Sequence, residues 1–168
     1  MTTSDALQRA KRPRTPLAGP YGHPFHPIAV TIPIGAWAAA IVFDLIGFFA
    51  EEPTPYALGA QVLIAIGLFG ALLAAILGFL DYLVIPAGTA AKRTAVTHMA
   101  INLGVTALYI VNWFVRAAAG HDEISVVGFV LSLIGFAALG VSGWLGGKLA
   151  YHYGVRVAAE STQREGFR

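Results

Sequence analysis

An all-α up-down bundle of four transmembrane helices is what the sequence predicts, on three observations. The 168 residues are 57% hydrophobic and 12% charged, where a soluble domain averages about 45–50% and about 25%. The mean hydropathy is +0.68. A soluble chain of this length could not hide so much apolar surface, and a disordered one would not carry it. The apolar residues fall into four long runs, and the basic residues fall almost wholly on one side of them.

Residues 1–22 are polar, with Pro13, Pro16 and Pro20 among Arg9, Lys11, Arg12 and Arg14. They predict a flexible basic arm. The apolar runs follow at about 27–50, 56–86, 94–119 and 124–152. Each exceeds the roughly 20 residues that a helix needs to cross a hydrocarbon core of about 30 Å. Unbroken apolar sequence, without alternation, excludes strands. The first run starts too late and is too long for a cleavable signal peptide. The spacers hold helix breakers or charge: Glu51, Glu52, Pro53 and Pro55; Pro86, Gly88, Lys92 and Arg93; Gly120, His121, Asp122 and Glu123. Spacers this short make neighbouring helices antiparallel. The membrane domain is thus 23–154, with a polar tail over 155–168.

Four antiparallel spans put both termini and the 86–93 loop on one side. That side holds Arg9, Lys11, Arg12, Arg14, Lys92, Arg93, Lys148, Arg156, Arg164 and Arg168, and the other only Arg116. By the positive-inside rule both termini are expected in the cytoplasm.

Small residues at four-residue spacing supply seams for close helix packing. They include Gly67, Ala71 and Ala75, and Gly70, Ala74 and Gly78, in the second span, and Ala138, Ser142 and Gly146 in the fourth. A sharper possibility is room for a flat ligand near Gly143 and Gly147. The third span is polar along one line. At about 100° per residue, Thr94, Asn102, Tyr109, Asn112 and Arg116 fall within about 40° of His98. Polar groups at membrane depth turn inward, so this stripe should face the bundle interior.

Two constellations could carry chemistry. In the outer half, Asp44, Asn112 and Arg116 fall at similar heights. A carboxylate alone in lipid would protonate, so a structural polar pair is expected there. In the inner half, His23 and His26 precede or open the first helix, Asp81 ends the second, His98 begins the third and His152 ends the fourth. Imidazole and carboxylate ligate zinc, iron, manganese or copper. Two histidines from different helices also hold a haem iron axially. His26 and His98 lie on parallel helices, diagonal in an up-down bundle, with Phe25, Tyr82, Tyr151 and Tyr153 at the same level to line a slot. The bland alternative is an interfacial hydrogen-bonded cluster in which Asp81 pairs with Lys92 or Arg93. The candidate cofactor-binding residues are His26, His98, His152 and Asp81, with His23 added for a divalent metal. Pro24 and Pro27 stiffen the approach to His26. The sequence has no Ser–His–Asp order, phosphate loop or zinc-protease motif, so no catalytic residues are assigned and an enzyme is not expected. The absence of cysteine excludes thiolate sites. A net charge of +2 gives no reason to expect nucleic acid.

The stretches GHPFHPIAVTIPIGAWAAAIVFDL (22–45), GFLDY (78–82), TAVTHMAINL (94–103) and SGWLGGKLAYHYG (142–154) together resemble the bacterial membrane family named domain of unknown function 2231. The matching positions are His23, His26, Pro27, Asp44, Asp81, His98, Asn102, Gly143, Trp144, Gly146, Gly147 and Tyr151. The resemblance implies a four-helix module of the bacterial inner membrane with no assigned activity. Some relatives are joined to Rieske-type or other electron-transfer domains, which raises a redox role by association only.

The expected function is therefore a redox-associated module binding b-type haem or a divalent metal, with a separate electron-transfer protein as partner. The alternative is a non-catalytic accessory or scaffold subunit, packed on a larger complex or on a second copy. A transporter along the polar stripe is disfavoured, because the chain has neither a broken mid-membrane helix nor an evident inverted repeat.

Overall fold

The computed structural model describes residues 2–168, and every regular element in them is helical. Four helices are long and apolar enough to cross a membrane: His26–Gly47, Thr54–Tyr82, Ala90–Ala119 and Val126–His152. They are called the first to fourth spans. Their large apolar side chains, among them Phe69, Leu72, Ile76 and Phe114, point outward, as a lipid-facing surface requires.

The ends follow from local chemistry. Pro27 sits in the first turn of the first span. Pro33 has no N–H for the carbonyl of Ala29, and the helix is interrupted at Val30 between its two segments, His26–Ala29 and Thr31–Gly47. Thr89 and Ser125 cap the third and fourth spans by accepting from Lys92 N and Gly128 N at 3.0 and 3.1 Å. The fourth span finishes in a π-helical turn, Lys148–His152. The second span stops at Tyr82, so Leu83–Ile85 form turns rather than the end of the predicted run.

The first span packs on the second and the third on the fourth. Second–third and first–fourth contacts close a square, which leaves first and third on a diagonal. The core contains Trp37, Ala40, Ala60, Ile64, Val105 and Tyr109, with Trp37 and Tyr109 stacked at 3.8 Å between ring centroids and 8° between planes. Gly67 lies directly under the Trp37 ring and Gly135 under Tyr109. Gly67→Ala is expected to destabilise the bundle by about 1–3 kcal/mol, because the buried indole has nowhere to move. Thermal unfolding in detergent, followed by circular dichroism, checks this.

The basic arm is not the flexible segment that its composition suggests. Thr3–Lys11 form a helix, closed by a capping box in which Thr2 and Asp5 satisfy each other's backbone N–H groups. The Thr2 hydroxyl holds the Asp5 carboxyl below its usual pKa. The cap's contribution is therefore present above about pH 4 and lost as the pH falls through the lowered value. Ala10 packs with Ile85, Ala95 and Val155. Its carbonyl accepts from Arg156 N at 2.9 Å, and Lys11 Nζ donates to the carbonyls of Val157 and Ala158. The arm and the start of the tail are thereby one cap on the end of the bundle that carries both termini.

The bundle is also internally duplicated. His26 meets His98, Trp37 stacks on Tyr109, and Asp44 pairs with Arg116. Each partner lies 72 residues after the first (26 to 98, 37 to 109, 44 to 116). The supporting contacts repeat as well. Trp37 Nε1 donates to Ile64 O and Tyr109 Oη to Ser132 O, while His26 Nδ1 contacts Ala74 O and His98 Nδ1 contacts Ser142 O. Here the offset is 68 (64 to 132, 74 to 142). Two helical hairpins face each other across a pseudo-two-fold axis running along the bundle. The repeat is parallel, since both hairpins start from the termini end.

Candidate functional site

The predicted polar stripe faces the axis. Tyr109, Asn112 and Arg116 are buried, and His98 and Asn102 are half-buried. Far from the termini, Arg116 grips Asp44 in a bidentate pair at 2.7 and 2.6 Å. Its Nε donates to Asn112 Oδ1 at 3.0 Å and its Nη2 to Ser132 Oγ at 3.2 Å. Asn112 Nδ2 donates to the same hydroxyl at 2.9 Å. Both charged side chains are almost wholly withdrawn from solvent. Every carboxylate oxygen has a partner, as a buried charge requires. The arrangement ties the two hairpins in register.

At the termini end the structure brings together His26 and His98, with ring centroids 6.3 Å apart and planes at 90°. His26 Nδ1 is 2.8 Å from Ala74 O and His98 Nδ1 is 2.9 Å from Ser142 O. A carbonyl can only accept, so each Nδ1 carries the proton and each Nε2 keeps its lone pair. Asn102 Nδ2 lies 3.2 Å from His98 Nε2, but has shorter contacts with Ser142 Oγ at 2.7 Å and His98 O at 2.9 Å. The ring of His26 rests on Gly78, where an added Cβ would stand 2.9 Å from Nδ1. The ring of His98 rests on Gly146, where it would stand 3.3 Å from Cε1. Around the pair, the second and fourth spans thus present Ala74, Gly78, Ser142 and Gly146, all small.

The larger predicted metal set does not assemble. Among the described residues no three His, Cys, Asp or Glu side chains are placed to hold one ion. His23 is exposed beside the carbonyl of Tyr21. His152 is exposed on the terminal π turn, edge-on to Tyr153. Both lie outside the helical packing that draws His26 and His98 to the axis. Asp81 is occupied by Arg156, with Nε 2.6 Å from Oδ1. It is not paired with Lys92 or Arg93. Lys92 lies over the Tyr82 ring and donates to Tyr82 O, and Arg93 donates to Gly88 O. Nor do the four aromatics line a slot: Tyr151 is 91% exposed, Phe25 faces outward and Tyr82 stacks on Phe79. Gly143 faces open space, and Gly146 is the glycine beside a histidine.

Several participants carry no signal in composition or motif. The carbonyls of Ala74 and Ser142 are main-chain groups. Arg156 counts only as one of the ten basic residues on the termini side, yet it is 3% exposed and donates to Ala18 O and Gly19 O. The signal that could have revealed the pairing is the constant spacing between first-span and third-span partners.

The family model described as "Predicted membrane protein (DUF2231)" matches residues 22–159. The chain belongs to that family. No curated protein and no solved structure matches it. The DUF2231 match begins just before His23 and takes in all four spans, the histidine pair and Arg156. Family and fold together make this DUF2231 member a membrane protein whose spans contact lipid.

Proposed function

We propose that this protein is a haem-binding electron-transfer module in which His26 and His98 are the two axial ligands, at an end of the bundle that faces the cytoplasm. The observation that carries the proposal is the on-axis histidine pair. Two imidazoles ligating one first-row metal ion in line stand with their centroids about 6 Å apart, given metal–nitrogen bonds of about 2 Å. The observed 6.3 Å fits. Each Nδ1–H is held by a main-chain carbonyl, the outer contact that fixes ring orientation and tautomer in ligating histidines. A bare divalent ion commonly needs three or four protein ligands, whereas the iron of a porphyrin needs two. The small residues of the second and fourth spans let both rings sit close against those helices. A haem held there would supply one-electron ferrous/ferric chemistry. The protein's part is to present two neutral imidazoles from separate hairpins and to keep water out of the axis. The cytoplasmic orientation is supported by the basic residues gathered at the termini end.

Protein purified from haem-replete cells is expected to show a Soret band at about one haem per chain, absent in His98→Ala. A well-folded preparation without that band would remove the proposal. A smaller effect is expected from Gly146→Val, whose side chain would press on the His98 ring. Haem content should fall while helical content persists, as read by absorbance and circular dichroism on one sample.

A further inference from the structure

Four buried side-chain polar atoms lack a hydrogen-bond partner among the described residues, and they belong to Arg156, Asp81 and Thr15. They are Arg156 Nε and Nη1, Asp81 Oδ1 and Thr15 Oγ1. Arg156 Nε and Asp81 Oδ1 face each other as an ion pair at 2.6 Å, so Arg156 Nη1 and Thr15 Oγ1 are the atoms left with no partner at all. Thr15 opens the turn whose carbonyls, Ala18 O and Gly19 O, accept from Arg156 Nη2 at 2.9 and 3.0 Å. Arg156 Nη1 is left with no partner in a residue that is 3% exposed. Buried orphans of this kind are rare in folded proteins and call for an explanation. The free Nη1 of a guanidinium held this way is a ready single donor for an oxyanion.

Its place in the fold is specific. Asp81 lies three residues, about one helical turn, beyond Gly78, on which the His26 ring rests. Ala18 O accepts from Phe25 N, the residue before His26. The backbone at Arg156 is held in the left-handed region, φ +60°, by its N–H on Ala10 O. That conformation is strained for a residue with a side chain, and the guanidinium it carries is buried against Asp81 and the carbonyls of Ala18 and Gly19.

We propose that Arg156, assisted by Thr15, is the seat for a carboxylate of the ligand that His26 and His98 hold. This rests on the proposed function, and in a porphyrin the carboxylate is one of its two propionate side chains. Arg156 then sets which way round the ligand enters, with its carboxylate edge toward the termini end, and Asp81 competes with that carboxylate for the guanidinium.

The test titrates the full chain, purified in detergent from haem-poor cells, with iron protoporphyrin IX and with its dimethyl ester, which carries no carboxylate. Wild type is expected to bind the diacid at least about tenfold more tightly than the diester. Arg156→Gln should bring the diacid down to the diester's affinity while leaving the diester unchanged. Asp81→Asn, which frees Arg156, should widen the preference. It keeps the test decisive if Arg156→Gln does not fold. Equal affinities in wild type, or an unchanged ratio in Asp81→Asn, would overturn the seat and leave those orphan atoms to bound water. If wild type takes up neither porphyrin with bis-imidazole absorption, the proposed function itself falls. Equal uptake of both would sink only the role of Arg156.

Discussion

Replacing Arg116 by leucine is expected to destabilise the bundle by about 3–5 kcal/mol, the effect of leaving one member of a buried ion pair uncompensated. Asp44 is completely buried and takes both of its strong hydrogen bonds from Arg116. Asn112 and Ser132 would lose their guanidinium partner as well. The double replacement, Asp44→Leu with Arg116→Leu, should recover most of that loss, because an apolar pair leaves no buried charge. Exchanging the two charges should recover less, and duplication explains why. The position equivalent to Asn112 on the first hairpin is Ala40, and the one equivalent to Ser132 is Ile64. An arginine at 44 would thus find the exchanged carboxylate but no amide or hydroxyl acceptor at the equivalent positions of its own hairpin. Unfolding of the four proteins in one detergent, compared by midpoint, decides among these outcomes. A single variant as stable as wild type would show that the pair does not tie the hairpins together.

The second large effect concerns the ligand. His26→Ala and His98→Ala are each expected to weaken haem binding by more than about 100-fold, beyond the 10–100-fold typical of losing an outer contact. The two losses should be similar, because the rings are pseudo-equivalent, each anchored to a carbonyl and each seated on a glycine. His23→Ala and His152→Ala should do little, since both side chains lie at the exposed surface. Equilibrium titration with iron protoporphyrin IX measures all four. A loss confined to one of the two axial positions would mean that the chain offers a single ligand.

Much of the fold is legible in the sequence because a membrane simplifies the reading. Length and hydropathy alone define a span, and an inward polar stripe can be read from helical periodicity, as with Asn112 and Arg116. What the sequence hides depends on distances between spans. His23, His26, Asp81, His98 and His152 all gather at one end of the bundle, but depth along the axis says nothing of radial position. Only His26 and His98 point to the centre, while Asp81 is claimed by Arg156 from the tail. The basic arm misleads for a different reason. Its proline-rich composition reads as flexible, but Ala10 and Lys11 are held by contacts with Val155–Ala158, about 145 residues away. The duplication is faint as sequence identity: equivalent positions keep His26 and His98, Gly67 and Gly135, and Gly78 and Gly146, but elsewhere hold Trp37 and Tyr109, or Asp44 and Arg116. It persists mainly as spacing.

The central claim is that one iron sits on the pseudo-two-fold axis between two imidazoles. Low-temperature electron paramagnetic resonance of the ferric protein, with iron content measured on the same sample, tests it most directly. The account predicts a low-spin bis-imidazole signal at about one iron per chain, replaced by a high-spin signal or by none in His26→Ala and His98→Ala. A folded protein without stoichiometric iron, or a low-spin signal that survives both substitutions, would contradict it.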